Sequence, residues 1–379
     1  MRLLMGPIAV LVVASCLIFQ GMLYFPLARA DSAPMWESPV GLKPGLVDNK
    51  VRMVAETVEV QVIERDGAVY AKVNATFELL NRGPDAEMKV GFPQYNYPVN
   101  VGEYPKQVGF SPSLLEDFRA WSGNTRYQPK AERVVLDPRE KWGDEWFVWD
   151  MAFRRGAQAR LNVSYDQNLG TGLGAVNVFY VLTTGALWDG TIGDATITMT
   201  ASDGGFVMAD PVPAQTGVSR ATWRMRDFEP TEDVRAVYVP AATWRALRAT
   251  SDAVKAGTAS AADYVIGAQA IVQMTEDGMR AGEERQRLRE SYFPQAKEWS
   301  RTAIEMDDAN AAAWEALADL ESASVRSPKG FYDCRPPAVE DNYQRAIDLG
   351  SPTAAAKLAE IQEATAWQES VVGPLEPCY

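Results

Sequence analysis

The residue pattern of this chain changes abruptly at Pro240, and that change limits the fold more than any other feature of its 379 residues. From about Val51 up to Pro240, apolar residues recur at every second position. Val58, Val60 and Val62 alternate with Glu59 and Gln61. The turn Arg65-Asp66-Gly67 follows, and then come Val69, Ala71, Val73, Ala75, Phe77 and Leu79. Such alternation puts one apolar face on a strand, and Asp-Gly between two alternating runs predicts a tight hairpin. Further alternating runs lie at 88–92, 146–153, 159–165, 176–183, 195–200, 221–225 and 234–239. Roughly eight to ten short strands broken by Gly and Pro predict an antiparallel β-sandwich over 51–240. The lack of strand–helix alternation argues against a doubly wound domain. Beyond Pro240 alanine dominates and β-branched residues become scarce. Tyr264, Gly267, Ala268 and Ile271 fall at helical spacing, and helix formers fill 283–289. An all-α domain is expected over 241–368, with a short tail at 369–379.

Arg2 precedes an apolar run over 3–25, and Ala28-Arg29-Ala30 follows with the small-x-small pattern of a signal-peptidase site. Residues 1–30 therefore read as an export signal. The run is also long enough to remain as an uncleaved anchor. Val13-Ala14-Ser15-Cys16 offers a third reading, lipidation at Cys16, although Leu17, Ile18 and Phe19 keep the sequence apolar where a lipoprotein turns polar. Residues 31–50, rich in Pro, Gly and Ser, read as a linker. The expected location is extracytoplasmic: periplasmic or secreted after cleavage, or membrane-anchored through 3–25. Membrane contact is expected only in the uncleaved form.

The formal net charge is −13, and loss of Arg2 and Arg29 with the signal takes it from −13 to −15. That excludes nucleic acid as a natural partner. The chain has no histidine. A Ser-His-Asp triad and a histidine-based metal site are thereby ruled out, and no cofactor or metal is expected. Removal of the signal leaves Cys334 and Cys378. In an oxidising compartment this pair predicts a disulfide that ties the tail to the last helices.

Among candidate sites, the segment KWGDEWFVWD carries Trp142, Trp146 and Trp149, and Trp188 with Asp189 lies in another loop. Tryptophan rings beside carboxylates suit stacking on sugars, so these five residues are candidate glycan contacts. Trp146 and Trp149 differ by three, however, and in a strand they point to opposite faces, so at least one belongs to a core. Glu140, Asp144, Glu145, Asp150 and Asp189 could supply the paired carboxylates of a hydrolase, but no pattern fixes a pair. Gly170-Thr171-Gly172-Leu173-Gly174 lacks the Lys-Ser/Thr of a phosphate loop. Asp203-Gly204-Gly205 reads as a hairpin turn, and the sequons at Asn74 and Asn162 fall in predicted strands.

Two helical segments carry a resemblance. AKEWSRTAIEMDDANAAAWEALADL (296–320) places Ala296, Trp299, Ala303, Trp314 and Leu317 where tetratricopeptide repeats put small, aromatic and aliphatic residues. NYQRAIDLGSPTAAAKLAEI (342–361) does the same with Tyr343, Ala346 and Leu358, and is also similar to Sel1-like repeats. Ala303 and Ala346 lie 346 − 303 = 43 residues apart, against a usual period of about 34. The excess falls in VRSPKGFYDCRPP, a loop carrying Cys334. The resemblance implies a short helical stack that binds another protein. A helical domain that merely packs on the strands is the plainer alternative. NATFELLNRG (74–83), VGFP (90–93) and YVLTTGALWDGTIG (180–193) together resemble exported bacterial β-sandwich proteins of unknown function, which carries no activity over. The expectation is a non-enzymatic envelope protein that binds another envelope protein through the stack. Glycan binding through the Trp-rich loops and carboxylate-based hydrolysis are the alternatives.

Overall fold

The computed structural model describes residues 32–38, 41–45, 49–94, 115–135, 145–276, 283–326, 331–334 and 337–378. The segment expected as an export signal (1–30, with Cys16) and Glu140, Trp142 and Asp144 lie outside these residues. Strands fill the N-terminal part and six helices follow among the described residues.

Three sheets form the strand-rich part. The largest has the order β14 (Gln215–Gly217), β15 (Arg220–Phe228), β12 (Ile192–Ala201), β3 (Val51–Arg65), β4 (Ala68–Asn81), β10 (Gln158–Thr171), β6 (Leu115–Ser122) and β7 (Thr125–Arg126). The β3–β4 hairpin turns on Asp66 and Gly67, at φ 53° and 75°. A second sheet has the order β2 (Gly41–Pro44), β1 (Ala33–Ser38), β5 (Ala86–Pro93), β9 (Glu145–Phe153) and β8 (Lys130–Arg133). The third has β11 (Val176–Tyr180), β16 (Val234–Val239) and β13 (Gly205–Asp210).

The period-2 pattern explains how these sheets meet. Val58, Val60, Val62, Ala71, Val73, Phe77, Leu161 and Ile197 all point to one face of the large sheet. There they share a core with Phe92, Trp149 and Phe153 of the second sheet and with Val178, Tyr180 and Tyr238 of the third. The opposite face carries Thr57, Thr76 and Thr196 in cross-strand register, with Asn162 beside Thr76. β16 is apolar on both sides. Val234, Ala236 and Tyr238 join the strand core, while Val237 and Val239 join a core built with the helices. The small sheet is thus covered on both faces, which is why its strand reads as a continuous apolar run.

Three expectations differ from the structure. The large sheet is mixed rather than wholly antiparallel, because β12 pairs with β3 in parallel. The 31–50 segment contains β1 and β2, and β1 pairs with β5. Backbone pairing organises that segment although its side chains show no period. Asp203-Gly204-Gly205 is not a hairpin turn, since β12 and β13 belong to different sheets. Gly204 donates its N–H to Tyr238 Oη at 3.1 Å, and a Cβ there would lie 2.2 Å from the Val239 carbonyl oxygen.

The helices are α1 (Ala241–Ala256), α2 (Ala261–Glu276), α3 (Glu283–Met306), α4 (Ala311–Ser324), α5 (Pro337–Asp348) and α6 (Ala354–Val372). Each packs against the next in chain order, and α2 also touches α4. Small residues set the spacing. A Cβ on Gly267 of α2 would meet the Trp299 ring of α3 at 2.6 Å and Thr250 of α1 at 2.5 Å. α6 runs to Val372, so the helix reaches into the segment expected as tail. Among the described residues no helix is long and apolar enough to cross a membrane.

Candidate functional site

The first helix is fixed to the strands at its N-terminus. Glu64 of β3 accepts from the Ala241 backbone N–H at 2.6 Å and from Tyr238 Oη at 2.7 Å. A carboxylate here meets the positive end of the α1 dipole and satisfies an otherwise unpaired N–H. The combination of burial and the facing carboxylate pushes the Tyr238 phenol up. Beside it, Arg235 of β16 binds Asp210 at 2.6 Å and Glu284 of α3, and Arg287 of α3 reaches Asp210 at 3.4 Å. Burial would raise the Asp210 carboxyl, but the two guanidinium groups outweigh it and hold the group below its usual range.

At the opposite end, a polar cluster locks α4, α5 and α6 together. Lys357 Nζ lies 2.7 Å from Glu315 Oε1 and 2.7 Å from Asp319 Oδ2. Thr353 Oγ1 donates to Glu315 at 2.6 Å, Ser351 Oγ also donates to Glu315, and Tyr343 Oη donates to Asp319. Burial opposes ionisation of both carboxyls. At Glu315, Lys357 and the two hydroxyls win and lower the group; at Asp319 burial wins and raises it. Burial would also lower Lys357, but its two carboxylates hold it above its usual range. Cys334 and Cys378 are bonded to each other, as expected, and strap the C-terminal tail to the loop that carries Phe331.

Beyond this lock the surface turns apolar. α6 buries Ala354, Ile361, Thr365 and Gln368, a stripe at helical spacing that Leu358 completes. Trp367 and Val371 lie off that stripe. Trp367 is 56% exposed, Val371 65% and Val372 69%. Phe331, 43% exposed, stacks on Trp367 with ring centroids 6.3 Å apart and planes 12° from parallel. Large apolar side chains clustered on a surface mark a contact site more often than isolated ones do. The outer side of the same helix also exposes Ala355, Ala356, Ala359 and Ala366, together with Glu360 and Glu363.

The sequence-derived candidates sit elsewhere. Trp146 and Trp149 are both buried, on opposite faces of β9: Trp149 in the main core, Trp146 against Met35, Leu42 and Val134. Trp188 is buried and donates its indole N–H to the Ser32 carbonyl at 2.9 Å. These three rings are therefore structural: β9 has cover on both sides, which buries Trp146 and Trp149, and Trp188 is buried after the short 183–187 helical turn. Trp142 lies outside the described residues. Asp189 is partly exposed, 4.0 Å from Arg82. Glu145 and Asp150 face Arg133 at 3.9 Å and Lys89 at 3.3 Å. Among the described residues, Glu145, Asp150 and Asp189 each face a cation on a neighbouring segment. Ala296, Trp299, Ala303, Leu317, Tyr343 and Ala346 are all buried between helices, with Trp314 and Leu358 partly so. Among the described residues no cluster of potential metal ligands occurs.

Two further features carry polar groups at or under the strand surface. Glu56 of β3 is buried in the strand core, where Tyr180 Oη donates to it at 2.8 Å. Its second carboxyl oxygen has no hydrogen-bond partner among the described residues. Burial pushes this carboxyl up to about 8, although the tyrosine bond works against the shift. An open depression of about 460 Å³ lies between Arg52, Gly193, Asp194, Arg226 and Asp227. Its charged groups are already matched, Arg52 with Asp227 at 3.0 Å and Arg226 with Asp194 at 3.1 Å.

Sequence reasoning missed Phe331, Trp367 and Val371. A signal existed: Trp367 and Val371 are four apart and out of phase with Leu358, Ile361 and Thr365, so one helix carries two apolar directions.

No family model matches this chain. No curated protein matches it either. Among solved structures, a Legionella pneumophila protein described as a "putative nutrient binding protein" aligns at a TM-score of 0.43 and 14% identity, over 78% of this chain and 98% of that one.

Proposed function

We propose that this is an exported, non-enzymatic protein that binds another envelope protein through the far end of its helical layer. The strand-rich part is read as a β-sandwich platform and the helices as a short tetratricopeptide-like stack. Packing in chain order, with small residues at the contacts, supports the stack. The apolar run after Arg2, the Ala28-Arg29-Ala30 site and a disulfide that needs an oxidising compartment support export. A charge of −13 and the absence of histidine support a binding role over catalysis.

The observation that carries the reading is the outer face of α6. A stack normally closes with a polar terminal helix. Here the last helix presents Trp367 and Val371 on its outer face, and Phe331 is stacked on Trp367. The test is affinity capture from an envelope extract with the disulfide-intact chain and with a Phe331→Ser, Trp367→Ser variant. A partner held by the first and lost by the second, at unchanged melting temperature, supports the site. Equal capture by both moves the binding surface away from α6.

A further inference from the structure

We infer that the outer face of α6 receives a cationic amphipathic helix of the partner protein, its apolar side chains over Trp367, Val371 and Phe331 and its Lys or Arg groups against Glu360 and Glu363. This rests on the protein-binding reading above and adds the chemistry of the partner.

Three observations carry it. The first is shape. Ala356, Glu360, Glu363, Trp367 and Val371 follow one another at intervals of three or four along α6, so they form a single ridge. From Glu360 to Val371 that ridge spans about 16 Å at the helical rise, roughly three turns of a partner helix. Ala355, Ala359 and Ala366 flank it and leave room for a second backbone to come close.

The second is the length-wise segregation of the ridge. Glu360 and Glu363 occupy its N-terminal half, and the apolar groups occupy its C-terminal half with the Phe331–Trp367 ring stack. A helix seated here needs cations at one end and apolar anchors at the other, a pattern that also fixes its direction.

The third is charge. From Phe331 onward the sequence holds eight acidic side chains against three basic ones, Arg335, Arg345 and Lys357. Lys357 is already held between Glu315 and Asp319. A second copy of this chain would set Glu360 and Glu363 against the same acidic surface, under a net charge of −13 on each molecule. Like charges across an interface are costly. An anionic membrane surface is disfavoured for the same reason. A cationic helix meets no such penalty.

The test uses the full, disulfide-intact chain and synthetic helical peptides of about 18 residues, long enough to cover the ridge. One peptide carries a Leu face flanked by Lys. A second replaces each Lys with Glu. A third scrambles the Lys peptide so that its charge is kept and its apolar face is lost. Calorimetric titration at physiological salt is expected to show binding of the Leu/Lys peptide, at least tenfold weaker binding of the scrambled one and none of the Leu/Glu one. The Phe331→Ala, Trp367→Ala double variant is expected to weaken the Leu/Lys peptide at least tenfold. Glu360→Lys with Glu363→Lys is expected to reverse the preference toward the Leu/Glu peptide. Circular dichroism melts confirm that each variant is folded.

Equal binding of the scrambled and amphipathic Lys peptides overturns the inference, because it reports only attraction between a polycation and an acidic protein. Tighter binding of the Leu/Glu peptide by the unmodified chain, lost in the double variant, overturns the cationic chemistry and leaves the docking face itself standing. Concentration-dependent dimerisation through α6 with no peptide binding overturns both, by making a second copy the occupant.

Discussion

At its sheet-facing end the helical layer is covered: Leu247, Ala268 and Ile271 share a core with Val237 and Val239. Glu64 caps the first helix, and Arg235 bridges to α3. At its far end the same alanine-rich packing stops at α6, where Trp367 is 56% exposed beside Phe331. The near end is held by apolar burial. The far end adds a partly exposed ion cluster and a disulfide to a small apolar core of its own, and leaves Trp367 and Val371 on the outside. A region that is held in place while Trp367 and Val371 stay exposed suits a preformed contact surface, because a partner need not order it on binding.

Removing what locks the far end should loosen it without loosening the strands. Reducing Cys334–Cys378, which are 44 residues apart in sequence, is expected to cost about 4 kcal/mol by the loop-entropy argument. Hydrogen exchange should then rise in α5, α6 and the Phe331 loop while the strands keep their protection. Global loss of protection would instead mean that the two ends unfold as one unit.

Lys357→Ala is the next largest perturbation. It strands Glu315 and Asp319 together among α4, α5 and α6. The expected loss is about 2–3 kcal/mol, below the figure for a fully buried pair because solvent reaches part of Lys357. Urea unfolding measures it, and Lys357→Met with Glu315→Gln should recover part of the loss.

The strand core responds to pH where the far end does not depend on that carboxyl. Glu56 is shifted from 4.5 to about 8 by burial. Between those values the folded chain keeps a proton that the unfolded chain releases. Stability from this group is therefore full below about pH 4.5 and is lost as pH rises toward 8, at up to about 1.4 kcal/mol per pH unit. Unfolding midpoints measured across that window should fall, and Glu56→Gln should flatten the slope.

The smallest stability effect is expected from Trp367→Ala. An exposed ring contributes little to folding, so the change should stay within about 0.5 kcal/mol. The same substitution should sharply weaken any partner that uses α6. A large loss of stability would show that Trp367 is part of a core.

Much of the architecture is legible in the residues. The alternation at 58–62 and 69–79 becomes β3 and β4, Asp66-Gly67 becomes their turn, and the change at Pro240 marks the passage from β16 to α1. Cys334 and Cys378 are bonded. Other parts are settled by tertiary pairing that local pattern does not carry. β1 pairs with β5 without side-chain period, and β12 joins β3 in parallel across more than a hundred residues of chain. The site was less legible. The spacing of Trp146 and Trp149 places at least one of them in a core, but periodicity cannot reveal that β9 is covered on both faces and buries both. Trp367 was hidden in the opposite way, as one aromatic in a helix whose buried stripe runs elsewhere.

Hydroxyl-radical footprinting of the dilute, disulfide-intact protein distinguishes a helical layer covered at one end and exposed at the other from one covered at both. Trp299, packed between α2 and α3, is the internal reference for a buried ring. The account predicts rapid oxidation of Trp367 and strong protection of Trp299. Equal protection of the two rings would contradict it, by showing that the face of α6 is already covered within the chain.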